Sequence, residues 1–222
     1  VIEDAKRIKK FGLPSEITKD IIGNHIVFLQ KVIPETKYSD YVVSDTMTNI
    51  ELFEYKPAPY KAVRILKDGN NYYYAIFCNY LVKSNESLPV QTAFDVFGID
   101  EPIDIISITP VKVDNTWKAN GKAISEFYTE ISKLTAYSFD EYHEMTFAEK
   151  LKKYEDEGNG DIGSEAYTQV ADDLREIMIE TKEGLRFTIH YYPSYGWINI
   201  VQTMSYYQMS PEISEWFLNY MK

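Results

Sequence analysis

Residues 176–207, EIMIETKEGLRFTIHYYPSYGWINIVQTMSYY, decide the fold class. β-Branched and aromatic residues crowd Glu176–Thr181 and again Leu185–Tyr192, with Glu183-Gly184 as the turn between them. Pro193–Gly196 turns the chain into a third apolar run, Trp197–Tyr207, so the segment reads as a three-stranded antiparallel meander. Ser210 followed by Pro211 then starts a helix, because serine caps the first free amides and proline suits the first helical position. Ile213, Trp216, Phe217 and Tyr220 give that helix one apolar face, expected to lie on the meander. Strands followed by a helix laid on them predict an α+β fold, mainly antiparallel sheet with packed helices.

Working towards the N-terminus, Ser138 with Glu141 forms a capping box for a helix running to about Tyr154, with Tyr142, Met145 and Leu151 inward. Gly121 precedes a helix with Ile124, Phe127, Tyr128, Ile131 and Leu134 on one stripe. Ser164 caps a short helix ending near Leu174, and residues 103–113 read as a strand. A second hairpin joins Ala62–Leu66 to Tyr72–Val82 through Asp68-Gly69. Both faces of its second strand are apolar, so that strand is expected to be central and covered on both sides. Tyr41–Val43 and Ile50–Tyr55 read as strands and residues 2–11 as a short helix. Ser15 offers an N-cap for a longer helix, with Ile17, Ile21, Phe28, Leu29 and Val32 at helical spacing up to Pro34.

The chain has 222 residues, about one and a half domains of ordinary size. An N-terminal α+β unit over 1–100 and a C-terminal one over 101–222 fit, as does one continuous domain. The polar stretch Lys83–Pro89 is the first place to consider a boundary. Lys67-Asp68-Gly69 echoes Lys182-Glu183-Gly184 at an offset of 115 residues, and Tyr80 echoes Tyr195, so two related units are one reading.

Net charge is −11, from 34 acidic and 23 basic residues, which sets the chain against phosphate backbones and anionic surfaces except where basic residues cluster. The one cluster, Lys6, Arg7, Lys9 and Lys10, is short; no nucleic-acid partner is expected. No run of about 18 apolar residues spans a bilayer. Hydrophobic residues make 45% of the chain, which excludes intrinsic disorder. The single cysteine, Cys78, forms no internal disulfide and, mid-strand among aromatics, is expected buried and protonated.

Catalytic motifs fail one by one. Gly158–Gly163 matches G-x-G-x-x-G, yet it follows a helix and the acids Glu155-Asp156-Glu157, where a phosphate site needs a strand and free amides. The same loop resembles a calcium loop, with Glu155, Glu157, Asn159, Gly160 and Asp161 in register, but Ala166 holds the place of the bidentate glutamate. His25, His143 and His190 lack metal spacing, and no G-x-S-x-G elbow exists. No cofactor is called for. Acidic pairs such as Asp100-Glu101 or Asp172-Asp173 could serve glycoside hydrolysis, although so acidic a chain contains such pairs by chance.

The unusual count is 19 tyrosines, much of which an AT-rich coding genome explains. Tyr191, Tyr192, Tyr195 and Trp197 surround one tight turn and Tyr207 ends the next strand; these five are the candidate ligand-binding residues, suited to stacking on sugars or proline-rich peptides. The competing account makes them core beneath the last helix.

The order of the C-terminal half carries a resemblance. A strand precedes the helix Ile124–Tyr128, an acidic stretch follows, two strands flank Lys182-Glu183-Gly184, and after a Tyr-Pro turn the chain ends in 209–217, MSPEISEWF. Residues 103–222 thus resemble the extracytoplasmic domains of Gram-positive lipoproteins and membrane-anchored regulators, anti-sigma factors among them. The resemblance implies an anchor upstream of Val1, a cell-envelope location and no catalytic residues. The expected function is non-enzymatic sensing or interaction with a protein partner, small ligand or glycan. A glycan hydrolase using paired carboxylates is the alternative, and a cytoplasmic protein whose acidic face meets a basic partner is a third reading.

Overall fold

The computed structural model describes residues 4–31, 48–111, 118–156 and 162–221. Its chain divides into two compact units, Val1–Phe77 and Cys78–Lys222. The division falls after the first hairpin rather than at residue 100, because residues 78–100 make their hydrogen bonds and ring contacts within the C-terminal unit. The fold is α+β with two antiparallel sheets, of four and six strands.

The first unit begins with α1 (Ala5–Lys10), capped by the Asp4 carboxylate on the Lys6 amide at 2.8 Å. It ends in a Schellman motif: Gly12 takes φ 75°, its amide bonds Lys9 O, and the Leu13 amide bonds Ile8 O. Strands β1 (Ile22–Lys31), β2 (Thr48–Tyr55), β3 (Val63–Asp68) and β4 (Asn71–Ile76) follow in sheet order β1-β2-β3-β4. β1 overturns the helix expected after Ser15. Ile22, Ile26, Val27 and Phe28 are the β-branched and aromatic types that favour a pleated surface, and pairing with β2 outweighs a sparse helical spacing. β4 is an edge strand ending at Ile76, not the long central strand expected. Cys78 accordingly lies exposed beyond it rather than buried. The strand expected at Tyr41–Val43 lies outside the described residues.

The second unit contains α2 (Val90–Phe97), β5 (Ile105–Pro110), α3 (Gly121–Ile131), β6 (Ala136–Tyr137), α4 (Phe139–Asp156) and α5 (Ile162–Asp173). Then come β7 (Arg175–Thr181), β8 (Arg186–Tyr192), β9 (Trp197–Ile200), β10 (Ser205–Gln208) and α6 (Pro211–Tyr220). Sheet order is β5-β7-β8-β9-β10-β6. The meander has one strand more than expected. The run from Trp197 to Tyr207 breaks at a 3-10 turn, Val201–Thr203, and reverses at Met204, whose φ of 53° is left-handed. Ile177, Ile179, Phe187, Ile189 and Tyr191 are buried, and Tyr191 stacks on Phe217 of α6 at 4.3 Å, so the last helix does lie on the meander. Tyr142, Phe147, Val170 and Trp197 form a further core cluster joining α4 and α5 to β9. The capping box closes as expected: Ser138 N–H and Oγ each meet Glu141 Oε2 at 2.8 Å, and the Glu141 amide bonds Ser138 Oγ. Met145 points outward at 54% exposure, and Phe147 fills the core instead.

The turns at Gly69 and Gly184 both close hairpins, but Asp68 pairs with Asn71 across two residues, whereas Glu180 pairs with Arg186 and the Thr181 amide bonds Leu185 O across three. One hairpin forms a sheet edge and the other sits inside a six-stranded sheet, and five of the six helices belong to the second unit among the described residues. The echo therefore extends no further than the turns.

Asp104 holds the second unit's corner. Its carboxylate is 5% exposed and accepts the Asp100 and Glu101 amides at 2.9 Å each and Lys182 Nζ at 2.5 Å. Burial alone would raise its pKa; the bonds from Lys182 and the two amides outweigh burial and hold it below the ordinary value. A folded-state pKa below the unfolded one contributes stability above the unfolded value, about 3.9, and loses it as pH falls further. Urea unfolding from pH 5 downward is expected to show this loss, and Asp104→Asn to flatten it. Asp104→Ala, which strands two amide donors, is expected to cost about 2–3 kcal/mol. A second test concerns β1: a Cβ on Gly23 would stand 2.9 Å from Glu54 Cβ and 3.1 Å from Glu54 O. Gly23→Ala should lower stability by about 1–3 kcal/mol through a forced strand shift, read as an earlier denaturation midpoint.

Candidate functional site

The five rings selected from sequence go mostly into the interior. Tyr207 is fully buried, its hydroxyl donating to Leu88 O at 2.8 Å and standing 2.8 Å from Thr203 Oγ1. Trp197, 4% exposed, is met edge-on by Tyr137 and Tyr142 at 5.3 and 5.4 Å. Tyr191 is buried under Phe217. Tyr192 and Tyr195 are half-buried against the Tyr142–Trp197 cluster. The turn carrying them is fastened from below, where Asp173 accepts the Ser194 amide and hydroxyl at 2.9 and 2.8 Å. Tyr191, Trp197 and Tyr207, enclosed in this way, have no free face on which a sugar could stack, whereas Tyr192 and Tyr195 stay partly exposed.

A concave feature of the second unit lies between α3 and α6. Asn120 Oδ1 caps α3 on the Ala123 amide at 3.0 Å, and Ser210 Oγ caps α6 on the Ile213 amide at 3.2 Å. Each helix then turns an apolar stripe inward: Ala123, Ile124, Phe127 and Ile131 from α3, Ile213, Trp216 and Phe217 from α6. The indole of Trp216 donates to Ala123 O at 2.9 Å and packs 5.0 Å from the Phe127 ring. Helix periodicity then leaves Glu126 and Glu130 on α3, and Glu212, Glu215 and Asn219 on α6, along the rims. With Trp216 and Tyr220 they line an open cleft of about 350 Å³. Tyr220 lies 5.3 Å from the Trp216 ring, with its hydroxyl 3.5 Å from Glu126 Oε2.

Two lysines touch the cleft acids, Lys122 at 3.5 Å from Glu126 and Lys133 at 3.0 Å from Glu130. Both lysines are largely exposed, so these pairs are weak, worth about 0–1 kcal/mol. Glu212 and Glu215 have no cation partner among the described residues. The cleft is therefore a negative concavity with the half-buried Tyr220 ring in its wall, a geometry suited to an ammonium or guanidinium group.

Other sequence candidates resolve into local roles. The Asp100 and Glu101 amides both serve Asp104, and Asp173 holds the aromatic turn. His190 faces Glu176 across β8 and β7, with Nε2 3.7 Å from Glu176 Oε1, a paired sheet histidine. The calcium-like and glycine-rich loop falls largely on residues 157–161, outside the described residues. Among the described residues no group of three acidic, histidine or cysteine side chains is placed to hold a metal, and no helix is long and apolar enough to cross a membrane.

No family model, curated protein or solved structure matches the chain.

The enclosed tyrosines make a spectroscopic prediction. Burial pushes Tyr74, Tyr206 and Tyr207 up to about 12. A raised folded-state pKa means that their contribution is whole below the unfolded value of about 10 and is lost between pH 10 and 12. Absorbance titration at alkaline pH should show a late class of tyrosines ionising together with unfolding, and Tyr207→Phe should shrink that class.

Proposed function

We propose that this chain is a non-enzymatic recognition domain of an exported or membrane-anchored bacterial protein, and that it seats cationic groups of a protein partner in the α3–α6 cleft. The observation that carries this reading is the cleft itself: a concave volume with four carboxylates on its rims and the Tyr220 ring in its wall. Carboxylates that lack an internal cation attract one from outside, and complementary charge raises encounter rates and selects partners. The lysines on Glu126 and Glu130 are largely exposed and held by weak pairs, so a competing ammonium or guanidinium can displace them. The resemblance of residues 103–222 to extracytoplasmic domains of Gram-positive lipoproteins and membrane-anchored regulators supports the envelope setting.

Calorimetric titration with a lysine-rich and a glutamate-rich peptide tests the reading. The lysine-rich peptide should bind, more weakly as salt rises, and the glutamate-rich one should not. Glu212→Gln with Glu215→Gln changes exposed side chains and should weaken binding at least tenfold with the melting temperature retained. Unchanged affinity in that double variant, or no binding of the cationic peptide at low salt, ends the proposal.

A further inference from the structure

The strongest concentration of positive charge is α1. Lys6, Arg7, Lys9 and Lys10 fall within six residues, all four are exposed, and the helix buries none of its side chains. Asp4 is the one acid among residues 4–13, and it is engaged as the helix cap. Among the described residues none of the four cations has an ion-pair partner, whereas Lys67, Lys83, Lys122, Lys133 and Lys182 all do. In a chain of net charge −11, this helix is where the local field changes sign.

The distances favour a collective effect. Six helical residues span about 9 Å, comparable with the screening length of about 8 Å at physiological salt. The four cations therefore act as one patch, while acids much further away are screened from whatever touches α1. Ile8 and Phe11, three residues apart, are partly buried on the other face of the helix, which leaves the four cations projecting together from the exposed face. The Asp4 cap and the Schellman ending hold the patch helical without help from its exposed face.

We propose that α1 is a contact surface for anionic lipid headgroups. The proposal rests on the reading of the chain as a domain held near a membrane, and adds the face that meets the bilayer. A basic residue close to an anionic leaflet raises partitioning about fivefold, so four give a contact that is weak alone and useful beside a second anchor.

The test is co-sedimentation of the full 222-residue chain with vesicles of phosphatidylcholine containing phosphatidylserine, against phosphatidylcholine alone. Binding is expected to the mixed vesicles, to fall at high salt, and to drop at least tenfold when Lys6, Arg7, Lys9 and Lys10 are all changed to Gln. Because α1 buries nothing, the variant should keep its circular dichroism spectrum and its binding of the lysine-rich peptide; the peptide arm, run without lipid, reports separately on the cleft. Equal binding to both vesicle types, or undiminished binding by the variant, overturns the proposal. So does binding of a DNA duplex with no binding of vesicles, which would make the patch a polyphosphate site.

Discussion

The indole of Trp216 has to bury a large ring and satisfy its N–H at once, and the Ala123 carbonyl, 2.9 Å away, allows both. An indole N–H left without an acceptor in the interior would cost about 1–3 kcal/mol. Ala123 is itself fully buried, and its single methyl group leaves room for the ring to approach the α3 backbone. Phe127 and Phe217 pack against the same indole, at 5.0 and 5.3 Å between ring centres. This one contact sets the register of α6 on α3. Once it is set, helix geometry alone decides which residues overlook the groove, and the acids on the two helices are brought to one opening. The cleft is thus a consequence of core packing, and its shape is only as fixed as the indole.

A second constraint organises the start of that unit. Most of the chain from Cys78 to Pro89 has no regular structure, yet its backbone groups must be satisfied where it crosses the fold. The Tyr80 amide bonds Gln202 O at 2.8 Å, the Leu88 amide bonds Ser205 Oγ at 2.8 Å, and Leu88 O accepts from Tyr207. Ser205 and Thr203 are buried hydroxyls for that reason. The strap delivers α2, whose Phe97 stacks on Phe187 at 4.1 Å and whose Phe94 stacks on Tyr128 at 5.5 Å. The 3-10 turn that splits the expected last strand is the same feature seen from the sheet: it presents Gln202 O and Ser205 Oγ to the strap.

Local signals were legible wherever chemistry and element coincide. The Ser138–Glu141 box, the Ser210-Pro211 start and the glycine turns at 69 and 184 were all readable, because each depends on residues within four positions. The errors came where tertiary pairing decides. Ile22–Lys31 carries enough apolar residues for either period, and only its partner β2 makes it a strand. The break at Met204 has no glycine or proline to announce it. α2 was overlooked because its buried Val90, Ala93, Phe94 and Phe97 lie in a short segment behind a polar loop. The cleft was invisible for a related reason. Its glutamates have ordinary spacing on each helix, and nothing in either segment states that the helices are neighbours.

Abundant tyrosine drew attention to stacking, yet the described rings show another use of the residue. Tyr206 lies parallel to Tyr142 at 3.7 Å, Tyr207 reaches Leu88 O, and Tyr128 reaches Asp100 O at 2.6 Å. A phenol fills core volume as phenylalanine does and lets its tip satisfy a loop carbonyl that would otherwise be stranded. Abundant tyrosine is therefore tolerated inside this fold where loops border the core. The groups kept outside include the carboxylates on α3 and α6 and the cations on α1. Surfaces of that kind discriminate by charge sign before shape, because long-range attraction acts during approach while side-chain fit acts only after contact.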